Sequence, residues 1–227
     1  FVVDGQGRKM SKSLGNAMTP DDILKNYGID ILRLWVVASD YYDDLKLDND
    51  ILKAQTDSYR RIRNTFRYLI GNLNGWEENE KIDIDEFPEL EKFILHRLWE
   101  IDQIIQDCIL SYNFHLMFTT ILNFCSNDLS SFYFDIRKDT IYCDSFYSKK
   151  RRASRTLLDL LFNYMVRWLA PSLVFTCEEA WQSKGNTSSI HLEEFLTADT
   201  KFRNDAIAEK WKQIKNIRKV ITGALEI

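Results

Sequence analysis

Apolar residues recur three and four apart along most of this chain, and that spacing commits it to helices. One such pattern runs from Asp48 to about Asn72, a second from about Leu90 to Leu110, a third from Phe114 to Phe132 and a fourth up to Leu169. The inward stripe of the second is Leu95, Leu98, Ile101, Ile105 and Cys108, and that of the third is Phe118, Ile121, Leu122, Cys125 and Leu129. Only eight Gly and three Pro occur in 227 residues, too few for a turn-rich β architecture. Pro171 stops the fourth helix, and Ser172–Gln182 gives one more. A polar Gly/Asn/Ser loop over Ser183–Ser189 leads to a strand-like piece at Ile190–Phe195. From Ala206 a basic amphipathic helix uses Ile207, Trp211, Ile214, Ile217 and Ile221. The expected fold class is an all-α bundle.

The first 47 residues read differently. Phe1-Val2-Val3 is a strand already under way, and Ile227 falls inside a helical pattern, so a piece of a longer polypeptide is expected. Thr19-Pro20-Asp21-Asp22 starts a short helix, with Thr19 as N-cap, proline at the first helical position and acids against the positive end of the dipole. Gly28 can end it, and Asp30 can cap the next helix, Ile31–Ala38. For Asp30 and Arg33 a local cap and ion pair is at least as good a reading as a direct functional role. Asp40–Asp44 is an acidic connector, which gives expected boundaries at 1–47, 48–200 and 201–227.

Between strand and helix lies Lys9-Met10-Ser11-Lys12-Ser13, fenced by Gly5, Gly7 and Gly15. Two ammoniums, two hydroxyls and a backbone free to take positive φ make a short cationic loop suited to phosphate. A second cationic feature is helical. At 100° per residue, Arg63 and Arg67 fall within roughly 60° of Arg60, beside a core-facing arc of Tyr59, Ile62, Phe66, Leu69 and Leu73. Such a stripe is either a solvated face or a phosphate-binding one. A third is Lys149, Lys150, Arg151 and Arg152, where positive charge at a helix N-terminus opposes the dipole and calls for an anionic partner. A phosphate backbone, an acidic protein surface and simple solubility all remain open as explanations.

Net charge is −4, so contact with nucleic acid must come from local patches of this kind. The acidic stretch from Trp76 to Pro88 should face away from RNA. Cys108, Cys125, Cys143 and Cys177 form no CxxC pair and read as reduced thiols of a cytoplasmic protein, neither zinc ligands nor a disulfide framework. His96 and His115 stand alone on apolar helices and read as packing or surface histidines. No apolar run reaches membrane-spanning length.

The Lys9–Ser13 string resembles the signature loop of class I aminoacyl-tRNA synthetases, which closes over ATP. Asn16, Pro20, Asp22, Asp30 and Arg33 extend the likeness, as do Ser58–Thr65, Asn72–Gly75, Phe124–Ser126, Phe132–Asp139 and Val166–Pro171. The Tyr59–Thr65 string and the Asp40-Tyr41 region favour the isoleucine branch of bacterial type over the valine and leucine branches. The resemblance covers nearly the whole chain. It implies a short remnant of a catalytic domain with its ATP-closing loop, followed by a helical anticodon-binding bundle.

By that resemblance Lys9 and Lys12 are catalytic. Lys12, Ser11 and Ser13 meet ATP, with Mg²⁺ as its companion in the parent enzyme. Arg60, Arg63, Arg67 and Lys149–Arg152 are the candidates to touch an isoleucine-accepting tRNA. No metal site is expected here, and a zinc-binding tail would lie beyond Ile227. The family's histidine pair two residues apart cannot be formed from His96, His115 and His191, and no editing domain is present. The chain is therefore expected to be a monomer, without bound cofactor and inactive alone. A non-catalytic helical RNA-binding or interaction module, or the equivalent portion of a valine or leucine enzyme, is the alternative.

Overall fold

Asp48 opens the longest helix, its carboxylate accepting the Ile51 N–H at 2.7 Å. From there α3 runs over Asn49–Leu73 and buries Leu52, Ile62, Thr65, Phe66, Leu69 and Leu73 on one face. Gly75, at φ 65°, turns the chain out of it. Residues 1–225 are described in this computed structural model.

Ahead of α3 lie β1 (Val2–Val3), α1 (Pro20–Asn26), α2 (Ile29–Ala38) and β2 (Leu45–Lys46). Thr19 and Asp22 form a reciprocal capping box at the start of α1. The two strands pair in parallel, Val2 opposite Leu45 and Val3 opposite Lys46. The second strand lies just beyond the acidic connector and has no alternating pattern of its own. Ile23, Ile31, Trp35, Leu47 and Leu52 make a small core for this part, separate from the large core of the bundle.

The bundle continues with α4 (Glu89–Leu110), α5 (Phe114–Asn123), α6 (Asp135–Cys143), α7 (Lys149–Leu169), α8 (Val174–Ser183) and α9 (Asp205–Leu225). Between α5 and α6 the helix does not stop. Residues Phe124–Phe134 are π-helical, so one rod spans Phe114–Cys143 and does not end at Phe132 as expected. The wider turn shifts the phase of the side chains, which is why the aromatic stretch after Phe132 shows no 3.6-residue period. It lets Phe132, Tyr133 and Phe134 all bury; Phe134 stacks on Tyr68 with centroids 4.0 Å apart. The most enclosed element is α7. Leu157, Leu158, Leu161, Phe162, Met165, Val166 and Trp168 are fully buried along it, against α3, α4, α6 and α8.

Other expectations are corrected. Ile190–Phe195 is no strand, because Ser189 caps a single 3₁₀ turn at Ile190–Leu192. Asp30 does not cap its own helix, which begins at Gly28 with no side-chain cap. Its carboxylate accepts the Thr176 N–H at 2.8 Å, the Thr176 hydroxyl at 2.6 Å and the Phe175 N–H at 3.5 Å. It thus caps α8, whose own N-cap residue offers no side chain for the purpose. Arg33, one turn on, donates to the Pro171 and Ser172 carbonyls at 2.7 and 3.0 Å. Ile217 and Ile221 of α9 are 60% and 53% exposed, whereas Ile207 and Trp211 pack on the bundle.

A buried ion pair lies within the large core. Glu91 is fully buried and takes two bonds from Arg137, at 2.6 and 2.8 Å, and one each from Tyr133 and Ser154. Burial and the adjacent carboxylate push the Tyr133 phenol well above its ordinary range. Removing one partner of such a pair strands the other charge. Glu91→Ala is therefore expected to lower unfolding free energy by about 3–5 kcal/mol. Glu91→Leu with Arg137→Met should recover most of that loss in urea titrations.

Candidate functional site

The cationic loop is built on a frame of its own. The Asp4 N–H donates to the Arg8 carbonyl at 2.9 Å and the Gly7 N–H returns to the Asp4 carbonyl at 2.8 Å, closing a tight turn. The Asp4 carboxylate accepts the backbone N–H groups of Gln6 and Arg8, the Arg8 guanidinium and the Asn16 amide. Asn16 also takes the Ser11 N–H at 3.0 Å and donates to the Lys9 carbonyl at 3.3 Å. These two residues fasten both ends of the Lys9–Ser13 string. The Arg8 N–H, the Asn16 amide and the Arg8 side chain hold the Asp4 carboxyl far below the usual carboxylate range.

Within the string, Ser11 accepts the Leu14 N–H at 3.2 Å and caps a 3₁₀ turn over Lys12–Leu14. The Ser11 and Ser13 hydroxyls lie 3.1 Å apart. Gly15, at φ 66°, closes the turn by donating to the Lys12 carbonyl. Both lysines are exposed, and neither makes an ion pair among the described residues. Lys9 lies 5.9 Å from the centroid of the Phe1 ring. Gly7 has the positive φ expected of it, but Gly5 serves a different purpose. A Cβ there would sit 2.1 Å from Asp48 Oδ2, so the missing side chain lets the loop rest on the cap of α3.

The arginine stripe is where the spacing places it, exposed along α3. Arg60 pairs with Asp57 at 3.1 Å and Arg63 meets Glu179 at 4.0 Å, both at the surface, where such pairs hold weakly. Arg67 has no acidic partner among the described residues. The stripe borders two open hollows. One, of about 350 Å³, lies toward Tyr27 and Ile31; the other, of about 300 Å³, lies toward Thr176 and Ala180 of α8.

The Lys149–Arg152 cluster finds its partner within the chain. Arg152 donates to the Glu80 and Asn79 carbonyls at 2.9 and 3.0 Å, Arg151 to the Ile141 carbonyl at 3.1 Å, and Lys149 pairs with Glu86 at 3.2 Å. Arg155, fully buried, clasps Glu80 at 2.6 Å. The acidic 76–88 loop is thus the anion that settles this helix end, and Lys150 alone of the four makes no such bond among the described residues. The histidines are structural. Buried His96 accepts the Asn204 N–H at 2.8 Å, His115 meets the Ala38 carbonyl, and His191 meets the Val174 carbonyl at 3.2 Å. Three of the four cysteines are buried, and burial pushes the Cys125 thiol up to about 12.

An exposed loop with two lysines is seated on the cap of a helical bundle that carries an arginine stripe. Residues 91–225 match the family described as the anticodon-binding domain of tRNA ligase, and residues 1–48 match the tRNA synthetases of class I (I, L, M and V). The chain belongs to the family of tRNA ligase anticodon-binding domains, and its first 48 residues are similar to the class I tRNA synthetases.

Within that class the likeness is to the isoleucine enzymes. The chain is 48% identical to the isoleucine–tRNA ligase of Pelagibacter ubique, matched over the whole chain and 25% of that protein. It is 46% identical to that of Bartonella henselae, again over the whole chain, and 23% of that protein. It therefore spans about a quarter of the length of these relatives. Among solved structures, the LeuRS of Agrobacterium radiobacter K84 in ternary complex with tRNA and LeuAMS shares the fold. The TM-score is 0.70 at 19% identity, over 90% of this chain and 24% of that one.

Sequence reasoning missed Asp4 as an anchor and used Asn16 only for the resemblance. The signal was available: each borders a glycine of the loop. The frame predicts a pH response. A carboxyl with a depressed folded pKa keeps its contribution above the ordinary carboxylate range and loses it only as pH falls through the lower value. The Gln6 and Arg8 amide resonances should therefore stay unchanged to well below pH 4 and shift together only in stronger acid. In Asp4→Ala these amides should exchange quickly at neutral pH.

Proposed function

We propose that this chain is part of an isoleucine–tRNA ligase, supplying the loop that meets ATP and the bundle that docks the tRNA. In such a ligase the isoleucine carboxylate attacks the α-phosphorus of ATP. The products are an aminoacyl-adenylate and pyrophosphate, and the acyl group then passes to the terminal ribose of tRNA. The observation that carries this reading is the pair of exposed lysines, free of carboxylates among the described residues, on a frame fixed by Asp4 and Asn16.

Lys12 would oppose the charge that grows on the leaving pyrophosphate, with Lys9 beside it, while Ser11 and Ser13 hold the turn and offer donors to phosphate oxygens. Cations set in place before the reaction reorganise little as charge develops, and loop closure lets them act away from water. Among the described residues no three His, Cys, Asp or Glu side chains cluster to hold a metal. A Mg²⁺ arriving with ATP would be held by the phosphates. Along α3, Arg60, Arg63 and Arg67 would neutralise tRNA phosphates and so fix register.

Two measurements test this. In the complete ligase, Lys12→Ala should lower kcat for ATP–pyrophosphate exchange by about 10²–10³-fold, the usual loss for one preorganised donor to a developing anion. The chain by itself should give no exchange. For tRNA binding by the chain, log affinity should fall linearly with log salt. Replacing Arg60, Arg63 and Arg67 with Ala should flatten that slope by about 3 if each meets one phosphate. An unchanged slope removes the stripe from the interface.

A further inference from the structure

A buried imidazole on α4 holds the residue that starts α9. His96, 2% exposed, accepts the Asn204 N–H on Nδ1 at 2.8 Å, and its Nε2 lies 3.3 Å from Glu100 Oε1. A backbone N–H can only donate, so Nδ1 must present its lone pair. The ring proton then sits on Nε2, where the Glu100 carboxylate accepts it. Together the two partners select one tautomer of the neutral ring. Asn204 in turn caps α9: its side-chain carbonyl accepts the Ile207 N–H at 3.1 Å and its backbone carbonyl the Ala208 N–H at 3.0 Å.

A proton added at Nδ1 would meet the Asn204 N–H head on, and the charges nearby are already matched. On α4, Glu100 faces Arg97 as well as the ring. Asp128, in the π-helical stretch, is shared by Arg97 at 3.3 Å and Lys215 at 2.6 Å. At α9, Asp205 pairs with Arg203 at 2.9 Å, and Glu209 lies 3.8 Å from Lys212. Arg203 also lies over the ring of Trp99, whose centroid is 6.0 Å from that of His96. Behind Asn204, Asp85, Lys92 and Lys201 line a separate small hollow. Each acid bordering His96 thus has a cation of its own, and a charge on the ring would be buried without a full partner.

Solvent reaches the edge of the ring through an open hollow of about 460 Å³ between α4 and α9. Further along, α9 has other holds. Trp211 stacks on Phe93 with centroids 5.6 Å apart and meets Phe132 edge-on at 5.9 Å, and Lys210 pairs with Glu89 at 2.8 Å. Release at Asn204 would therefore free the first turn of α9 and leave the rest docked.

We propose that His96 and Asn204 form a pH-sensitive latch. The neutral ring fastens the first turn of α9 to α4, and protonation of the ring as pH falls lets residues 203–208 go. The latch is independent of the ATP and tRNA roles proposed above.

The test follows the isotope-labelled chain by NMR between about pH 8 and 5, the range in which histidine changes charge. At the alkaline end the His96 ring should show a protonated Nε2 and a bare Nδ1. As the ring titrates, protection of the Asn204 and Ile207 amides, taken relative to unstructured chain at the same pH, should fall about tenfold or more with the same midpoint. Protection of the Lys215 amide should hold. His96→Asn sets an amide oxygen near the place of Nδ1 and cannot titrate, so its Asn204 and Ile207 protection should stay level over that range. If the two amides stay protected throughout in the parent, whether or not His96 takes up its proton, the latch falls. If they open while His96 stays neutral, or open in His96→Asn as they do in the parent, another group is responsible and the latch falls. If Lys215 opens with them, acid releases the whole helix and the latch falls. The parent's own ring signals decide the matter even where the variant does not fold.

Discussion

Asp30 and Arg33 stand one helical turn apart on α2 and grip both sides of the turn between α7 and α8. The carboxylate takes the free N–H groups that begin α8, and the guanidinium takes the carbonyls that follow α7. Each group meets the sign of charge that a helix end presents, so the grip gains from both dipoles as well as from its hydrogen bonds. Tyr59 of α3 joins through the Thr176 hydroxyl at 3.0 Å, bringing the arginine-bearing helix into the same network. The small core with the lysine loop and the large core with the stripe are thereby held in one arrangement. The grip adds polar bonds to the apolar contact that Leu34, Val37 and Ala38 of α2 make with the large core.

Much of this was legible in the sequence, because long amphipathic helices announce their inner face by spacing alone. The helices over 49–73, 89–110 and 149–169 lie where their patterns place them, and the capping box at Thr19 is present as spelled. The cationic loop was legible for another reason: five specific residues between glycines have few other uses. Where the reading failed, the deciding partner was distant. Asp30 looks like a local cap because its first-turn position allows one, yet its bonds go to residues 145 and 146 positions away. Ile190–Leu192 has strand-forming side chains but no strand to pair with, and Ser189 fixes a turn there. The π-helical stretch was beyond the reach of a fixed 100° period.

The Lys149–Arg152 cluster is tied into the bundle by several bonds. Four successive cations ask for an anion, and seventy residues earlier the chain carries an acidic loop that meets the need. Two of those arginines spend their donors on carbonyls, a use that leaves formal charge in place but fixes the fork. The acidic 76–88 loop thereby stiffens the basic helix end.

A helix of 25 residues is about 37 Å long, and α3 has its first turn against the lysine loop and its last against the start of α7. Such a rod acts as a lever. Tilting it by about 5° about the Gly5–Asp48 contact would swing its far tip by about 3 Å, the length of a hydrogen bond. Even one methyl group at position 5 would strike the carboxylate that caps the near end of this rod, so the glycine there keeps the fulcrum clear.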